Sequence, residues 1–141
     1  MKRLFFTVSI VACLFSISAS ASTEGLPNVL NSFYKTFQNA QNISWTEVDD
    51  MLRIGFTLNG HQQFAYYSND ELVVVATEIK TEELPTTLKA QLSAYKEYTV
   101  SQVYELVRNN VKEYCVVMES PSKHIALKGK KALRICLEKR K

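Results

Sequence analysis

The sequence predicts an α+β fold of two tandem repeats, each made of one helix and a four-stranded antiparallel meander, with both helices on one face of the sheet. The stretch "LPNVLNSFYKTFQNA" begins at Leu26, and the similar "LPTTLKAQLSAYKEY" begins at Leu84, 58 positions later (84 − 26). Four short runs of alternating apolar and polar residues follow each copy. Turn-forming pairs such as Asn59-Gly60 separate these runs, which favours hairpins.

The first 21 residues are predicted to be a secretory signal peptide. Two basic residues open the chain, an apolar run extends from Leu4 to Ile17, and A-S-A at positions 19–21 is a cleavage site of the A-x-A type. The run is shorter than the roughly 20 residues that a membrane-spanning helix needs. Cys13 lies in a lipobox-like segment, so a lipoprotein is the alternative. We therefore expect a periplasmic or secreted protein with no stable membrane span after cleavage.

The remaining residues, 22–141, are predicted to form a single domain made of repeats 26–83 and 84–141. A unit of this length buries only about 60% of its extended-chain surface, which leaves it marginally stable alone. The two halves are therefore expected to pack together.

Each predicted helix carries one apolar face. In the first copy the face is formed by Leu26, Leu30, Phe33, Phe37 and Ala40. The equivalent positions of the second copy are Leu84, Leu88, Gln91, Tyr95 and Tyr98. Pro27 and Pro85 suit the first helical turn, where a missing N–H costs nothing.

The hairpin closed by Asn59-Gly60 has two possible registers. A two-residue type I′ turn places Gly55 opposite Phe64, and the helix side is then lined by Ile54, Phe56, Ala65 and Tyr67. A three-residue loop shifts the register by one residue and buries Phe64 and Tyr66 instead. In the first register Arg53, Phe64 and Tyr66 form an exposed aromatic and basic cluster on the open side, and we interpret these three residues as partner-binding.

Two cysteines, Cys115 and Cys136, remain after the predicted cleavage. An exported pair permits a disulfide. Both lie in alternating runs, however, and a third strand between them would separate their Cα atoms by about 10 Å. Bridging requires less than about 7 Å, so two free thiols are predicted. Trp45 is either a binding anchor or a core residue beside Ile43 beneath the helices, and we favour the core.

No residue pattern predicts an enzyme. The sequence lacks the G-x-S-x-G, H-E-x-x-H and glycine-rich phosphate-loop motifs, so no catalytic or cofactor-binding residue is assigned and no cofactor is expected. His61 and His124 each follow a predicted turn, where we expect them to be solvated. Nothing near them supplies further ligands at metal-site spacing, so no metal site is predicted.

Charge is divided unequally between the two halves. The net charge of +3 falls to +1 when the two basic residues of the signal peptide are removed, which does not favour nucleic-acid binding. Residues 22–83 contain three basic and nine acidic side chains, whereas residues 84–141 contain twelve and five. This asymmetry favours docking of the halves, weak charge-driven self-association of a protein that is otherwise monomeric, or an acidic partner at the second half.

Several short motifs resemble a known family. The segments "AQNISW", "IGFTLNG" and "AYYSND", with the "LP" before the second helix, resemble exported PepSY-like proteins described as β-lactamase-inhibitor-like. The resemblance covers about Leu26 to Glu138, but Ser68 and Glu71 stand where the family often has Asp and Gly. It implies two helix-plus-sheet repeats whose strands form one joint, often concave, sheet. It also implies a periplasmic or secreted location and an inhibitory or peptide-binding role, without catalytic residues.

The sequence as a whole predicts an exported, non-catalytic binding module that recognises a protein or peptide of the cell envelope through the open face of its sheet. Two alternatives remain. One is a structural or self-associating envelope protein, which the opposed charges favour. The other is a carrier or sensor of a small ligand.

Overall fold

The computed structural model describes residues 26–141, and the predicted signal peptide with its lipobox-like segment lies outside this range. Helix α1 (Leu26–Thr36) is followed by four strands, which are β1 (Gln41–Val48), β2 (Met51–Leu58), β3 (His61–Ser68) and β4 (Glu71–Ile79). The connection contains 3-10 turns at Thr81–Glu83 and Leu92–Ala94 on either side of helix α2 (Thr86–Gln91). Four more strands complete the chain, namely β5 (Thr99–Arg108), β6 (Val111–Glu119), β7 (Lys123–Gly129) and β8 (Arg134–Arg140).

The predicted fold class is wrong. All eight strands form one antiparallel sheet in chain order, so the protein is mostly β and is not an α+β pair of helix-plus-meander repeats. Strand β4 pairs with β5 from Val75 opposite Val107 to Ile79 opposite Val103. The backbone hydrogen bonds therefore continue across the boundary at which the sequence was divided, and only the joint sheet implied by the family resemblance is present.

The helices are shorter than the apolar pattern of the sequence predicted. Helix α1 has 11 residues, and α2 has only six because Pro85 immediately precedes it and a 3-10 turn follows. Neither helix in residues 26–141 has the length and apolar character needed to cross a membrane. Of the second predicted helix face, only Leu88 and Gln91 lie in α2, because Leu84 precedes the helix and Tyr95 and Tyr98 follow it. Leu84 and Leu88 are buried, and the two tyrosines are partly buried against the same cluster.

Two-residue turns close four of the hairpins, including the one predicted at Asn59-Gly60. They are Asp49-Asp50, Asn59-Gly60, Asn69-Asp70 and Asn109-Asn110, and all eight residues have positive φ. Asn, Asp and Gly are the residues that tolerate this left-handed conformation, which matches the twist of the flanking strands. Turn chemistry therefore determines where each hairpin reverses.

The register of the hairpin at Asn59-Gly60 is the two-residue one. Leu58 lies opposite His61, Ile54 opposite Ala65, and Gly55 opposite Phe64, which confirms the first of the two alternatives. Because side chains alternate along a strand, this register assigns every residue of β2 and β3 to a face.

Both helices pack on the same face of the sheet, as predicted. Beneath α1 lies a cluster of Val29, Phe33, Phe37, Ile54, Phe56, Ala65 and Tyr67. Beneath α2 lies a cluster of Leu84, Leu88, Val103, Val116, Met118, Ile125, Leu127 and Leu133. Trp45 and Ile43 are partly buried against the first cluster, which confirms the core position of the tryptophan. The ring centroids of Phe33 and Phe56 are 4.9 Å apart in an edge-to-face arrangement, so α1 contacts β2 directly.

The turn at Gly60 provides a test of the positive φ on which the two-residue turn depends. Its φ is +80°, and a Cβ atom there would meet nothing within 4 Å, so an alanine is penalised by backbone conformation alone. We expect Gly60→Ala to lower the free energy of unfolding by about 1–2 kcal/mol. Gly60→Asn is the matched control, because asparagine adopts positive φ more readily and should cost less. Urea denaturation measures both, and equal losses would contradict the predicted role of φ.

Candidate functional site

The open face is the side of the sheet on which neither α1 nor α2 packs. A continuous cluster of buried side chains covers it from β2 to β7. Its members are Met51, Tyr66, Val74, Ala76, Tyr104, Leu106, Cys115, Val117 and Ala126. Phe64, Val48, Cys136 and Leu137 are partly buried against this cluster. The helix face has two separate clusters, whereas the open face has one that joins both halves of the chain.

The side chains of this face lean together above its middle strands. Phe64 on β3 and Tyr104 on β5 have ring centroids 6.2 Å apart, although a whole strand lies between them. Two strand spacings amount to about 9.6 Å, so the rings approach each other across the intervening strand. That strand contributes Ala76 directly opposite Phe64, and its small side chain leaves room for the two rings.

The ring of Phe64 packs on the backbone of Gly55. A Cβ atom at Gly55 would lie 3.2 Å from Cε1 of Phe64 and 3.3 Å from Oγ of Ser44, so the ring covers the backbone that lacks a side chain. This is the aromatic cover of a strand glycine that the predicted register requires. A larger residue at position 55 would displace the ring.

Arg53 completes the arrangement. Its guanidinium carbon lies 5.2 Å from the centroid of the Phe64 ring, within the range of a cation–π interaction. Tyr66 is directly opposite Arg53 in the register, so the structure brings together all three residues predicted to bind a partner. The Tyr104 hydroxyl belongs to the same environment. Burial raises its pKa, the nearby Glu78 carboxylate raises it further, and Arg53 acts in the opposite direction.

The predicted exposure of this cluster is wrong for two of its three members. Tyr66 is fully buried and Arg53 is only 8% exposed, whereas Phe64 is half-buried. The alternation of side chains along β2 and β3 correctly assigned these residues to the open face. It does not predict how closely the side chains of β4 and β5 pack against them. The binding role of Arg53, Phe64 and Tyr66 stays a prediction, with Phe64 as the accessible member.

Sequence reasoning missed Tyr104 and Glu78. They lie opposite each other on β5 and β4, the strands that join the two halves of the sheet. The alternation in "TVSQVYELVR" places Tyr104 on the same side as Leu106, which was a usable signal. The proximity of Tyr104 to Phe64 could not be predicted from the sequence. The reason is that a long connection, and not a tight turn, links β4 to β5, so the register of these two strands is not set locally.

The two cysteines also lie on this side of the sheet. Both are free thiols, which confirms the prediction, and β7 separates the strands that carry them. Burial is the main cause that raises the pKa of Cys115 to about 12, and burial also raises the pKa of Cys136. Sγ of Cys136 lies 3.3 Å from the backbone oxygen of Ala126, to which it donates a hydrogen bond.

The histidines lie apart from each other. Nδ1 of His61 is 3.3 Å from the backbone oxygen of Glu78, and Nδ1 of His124 is 3.1 Å from Oε1 of Glu119. His61 is exposed as predicted, whereas His124 contacts a carboxylate and is only partly exposed. Within residues 26–141, no group of three or more His, Cys, Asp or Glu side chains is arranged to hold a metal ion.

Two grooves of about 460 Å³ each lie beside these histidines, away from the aromatic cluster. The first is lined by Gly60, His61, Gln62, Glu78, Ile79, Lys80 and Glu83. The second is lined by Ser101, Gln102, Val117, Glu119, His124, Lys139, Arg140 and Lys141. Polar and charged residue types predominate in both linings, and the carrier or sensor of a small ligand stays an alternative prediction.

The burial of Tyr66 provides a test of packing on the open face. We expect Tyr66→Ser to lower the free energy of unfolding by about 3–5 kcal/mol, the usual cost of removing a buried aromatic ring. Tyr34, which is 52% exposed on α1, supplies the matched control Tyr34→Ser. That change should cost no more than about 0.5 kcal/mol. Chemical denaturation compares the two, and a similar small loss in both would show that Tyr66 is not a core residue.

The pKa of Cys115 predicts a loss of stability in alkali. Burial raises the pKa of the folded thiol to about 12, whereas the thiol of the unfolded chain ionises near its ordinary pKa of 9.0. The contribution of the protonated Cys115 thiol to the free energy of unfolding is therefore complete below pH 9. It is lost as the pH rises from 9 towards 12. We expect the free energy of unfolding to fall more steeply between pH 9 and 11 in the natural protein than in Cys115→Ala. Parallel curves would contradict the shift.

Comparison with known proteins reveals the fold but no close relative. No protein-family model matches the chain, and no curated protein matches it in sequence. Solved structures do match. A DUF2874 family protein from Bacteroides uniformis superposes with a TM-score of 0.69 at 14% identity, covering 80% of this chain and 87% of that one.

Two further structures have the same architecture. A BLIP-like protein from Bacteroides fragilis matches with a TM-score of 0.64 at 18% identity, covering 89% of each chain. A candidate periplasmic protein from Bacteroides eggerthii matches with a TM-score of 0.70 at 14% identity, covering 87% of this chain and 90% of that one. None of these matches shows the PepSY-like assignment. The chain therefore has the fold of the BLIP-like and DUF2874 proteins, and at these identities the likeness establishes the fold alone.

Proposed function

We propose that this chain is an exported, non-catalytic binding module that recognises a protein or peptide partner through its open face. The observation that carries the proposal is the environment of Phe64. Its half-buried ring is supported by Gly55, flanked by Tyr104 and contacted by the Arg53 guanidinium, on the side of the sheet away from both helices.

Such an aromatic ring suits recognition because it is already immobilised. Binding costs conformational entropy for every side chain that becomes ordered, and a preorganised anchor avoids much of that cost. Aromatic and arginine residues are also enriched among the residues that dominate interface energies. The contacts around Phe64 restrict its ring in the free protein.

The three predicted site residues then have different roles. Phe64 contacts the partner. Arg53, only 8% exposed, lies over the face of the ring and supplies positive charge beside the contact surface. Tyr66 is fully buried opposite Arg53 and supports the floor of the face. Arg53 and Tyr66 thus act on binding through the position of Phe64.

The similar structures support the class of function. One is BLIP-like and another is a candidate periplasmic protein, which agrees with a protein partner and with export. Export of this chain also depends on the signal peptide predicted at residues 1–21, and the PepSY-like assignment depends on the short sequence motifs.

The test compares two single variants, each of which replaces an aromatic residue with serine, one on the open face and one on α1. We expect Phe64→Ser to weaken partner binding at least tenfold, about 1.4 kcal/mol, whereas Tyr34→Ser on the exposed side of α1 should leave affinity unchanged. A partner is first recovered from envelope extract with the natural protein as bait. It is then purified and titrated calorimetrically against the natural protein and both variants.

Two controls keep the result specific. Thermal denaturation of Phe64→Ser must show a folded protein, because the ring also packs against Gly55. Hydrogen exchange of the complex should show new protection in β2, β3 and β4 near Phe64. Unchanged affinity in a folded Phe64→Ser variant, or protection confined to α1 and α2, would overturn the proposal.

A further inference from the structure

The two edge strands of the sheet carry opposite charge. Strands β1 and β8 each pair with one neighbour only in the described sheet, so the outer side of each presents unpaired backbone N–H and C=O groups. Such edges are templates for pairing with another strand. The charged residues beside each edge determine which strand each edge accepts.

The β1 edge is acidic at its carboxyl end. Glu47, Asp49 and Asp50 are all exposed there. No lysine or arginine occurs between Lys35 and Arg53. The amino end of β1, by contrast, has no charged residue, and a bulge between Gln41 and Ser44 interrupts its pairing with β2.

The β8 edge is basic at its amino end. Lys130, Lys131 and Arg134 are exposed at and just before the start of the strand, and none of them forms an ion pair within the described part of the chain. Ile135 beside them is 50% exposed. The loop before β8 is held in place by Gln91, whose side chain donates to the backbone oxygen of Lys131 and accepts from the N–H of Leu133.

The carboxyl end of β1 and the amino end of β8 lie at the same end of the sheet, on its opposite edges. Successive strands of the meander are antiparallel, so β1 and β8 run in opposite directions. If a second copy continues the sheet in the same orientation, its β1 lies antiparallel to β8 of the first copy. The acidic carboxyl end of β1 then lies beside the basic amino end of β8.

From this complementarity we infer that the occupant of the β8 edge is the β1 edge of a second copy of the same chain. Antiparallel pairing of two β8 edges would place the basic amino end of β8 beside Lys139, Arg140 and Lys141 of the other copy, which is unfavourable. Antiparallel pairing of two β1 edges would place the acidic end beside an uncharged one, so only the pairing of unlike edges brings opposite charges together. Joining unlike edges leaves one of each free, so the association continues head to tail. This inference uses the strand edges and goes beyond the proposed binding role of the open face.

Three triple variants test the inference. The acidic edge is altered by Glu47→Lys, Asp49→Asn and Asp50→Asn, and its new Asn-Asn turn is one that this chain already uses at Asn109-Asn110. The basic edge is altered by Lys130→Glu, Lys131→Glu and Arg134→Glu. The matched control has the same chemistry at the other end of β8, namely Lys139→Glu, Arg140→Glu and Lys141→Glu.

Sedimentation velocity at several protein concentrations measures the association. For the natural protein we expect concentration-dependent association in about 20 mM salt that weakens at least tenfold in 0.5 M salt, because exposed charges are then screened. Each edge variant alone should stay monomeric. An equal mixture of the two edge variants should associate again, since the natural β8 edge of one variant meets the natural β1 edge of the other and the two altered edges also carry opposite charge. The control variant should associate like the natural protein.

Three results would overturn the inference. They are a natural protein that is monomeric at every concentration and salt, a control variant that fails to associate, and a mixture of edge variants that stays monomeric. Thermal denaturation checks that each variant is folded. If one edge variant does not fold, loss of association in the other, compared with the control, still decides the question. None of these outcomes depends on Phe64 or on a heterologous partner.

Discussion

The left-handed conformation of the hairpin turns is the constraint on which the rest of the structure depends. Each two-residue turn has both central residues at positive φ, which β-branched and bulky side chains do not tolerate. The turn at Asn59-Gly60 therefore sets the pairing of β2 with β3 and puts Phe64 over Gly55. A shift of one residue would move Phe64 to the helix face and leave Gly55 without its cover.

The parts of the fold that were predictable are those determined by local chemistry. The turn at Asn59-Gly60 and the separation of Cys115 from Cys136 follow from the sequence spacing of neighbouring strands. The hairpin register is one of the two alternatives that the sequence allowed, and the common face of the helices follows from their apolar residues. The single sheet was not predictable in this way, because β4 and β5 are joined through α2 rather than by a turn. Two similar "LP" segments indicated two units, whereas the pairing of Ile79 with Val103 joins them. The contact of Phe64 with Tyr104 depends on the same junction.

Burial on the open face shows a second limit of strand periodicity. Alternation assigns a side chain to a face, but neighbouring strands decide whether that side chain contacts solvent. Ala76 leaves space above β4, and Phe64 and Tyr104 lean into it from both sides. Tyr66 is buried as part of the same packed face. The result is a packed floor with Phe64 as a partly exposed ring, so two residues on the same face of β3, Phe64 and Tyr66, differ in their contact with solvent.

Strand order also explains how a nearly neutral chain acquires two charged edges. In a sheet with crossover connections, residues from distant parts of the sequence are interleaved, and an asymmetry along the chain is averaged out. Here the order in the sheet equals the order in the sequence, so the acidic first half and the basic second half remain on opposite sides. Ion pairs such as Lys123–Glu138 and Lys128–Glu113 neutralise part of the second half internally. Lys130, Lys131 and Arg134 take part in none of the ion pairs of the described residues, so their positive charge remains at the free edge of β8.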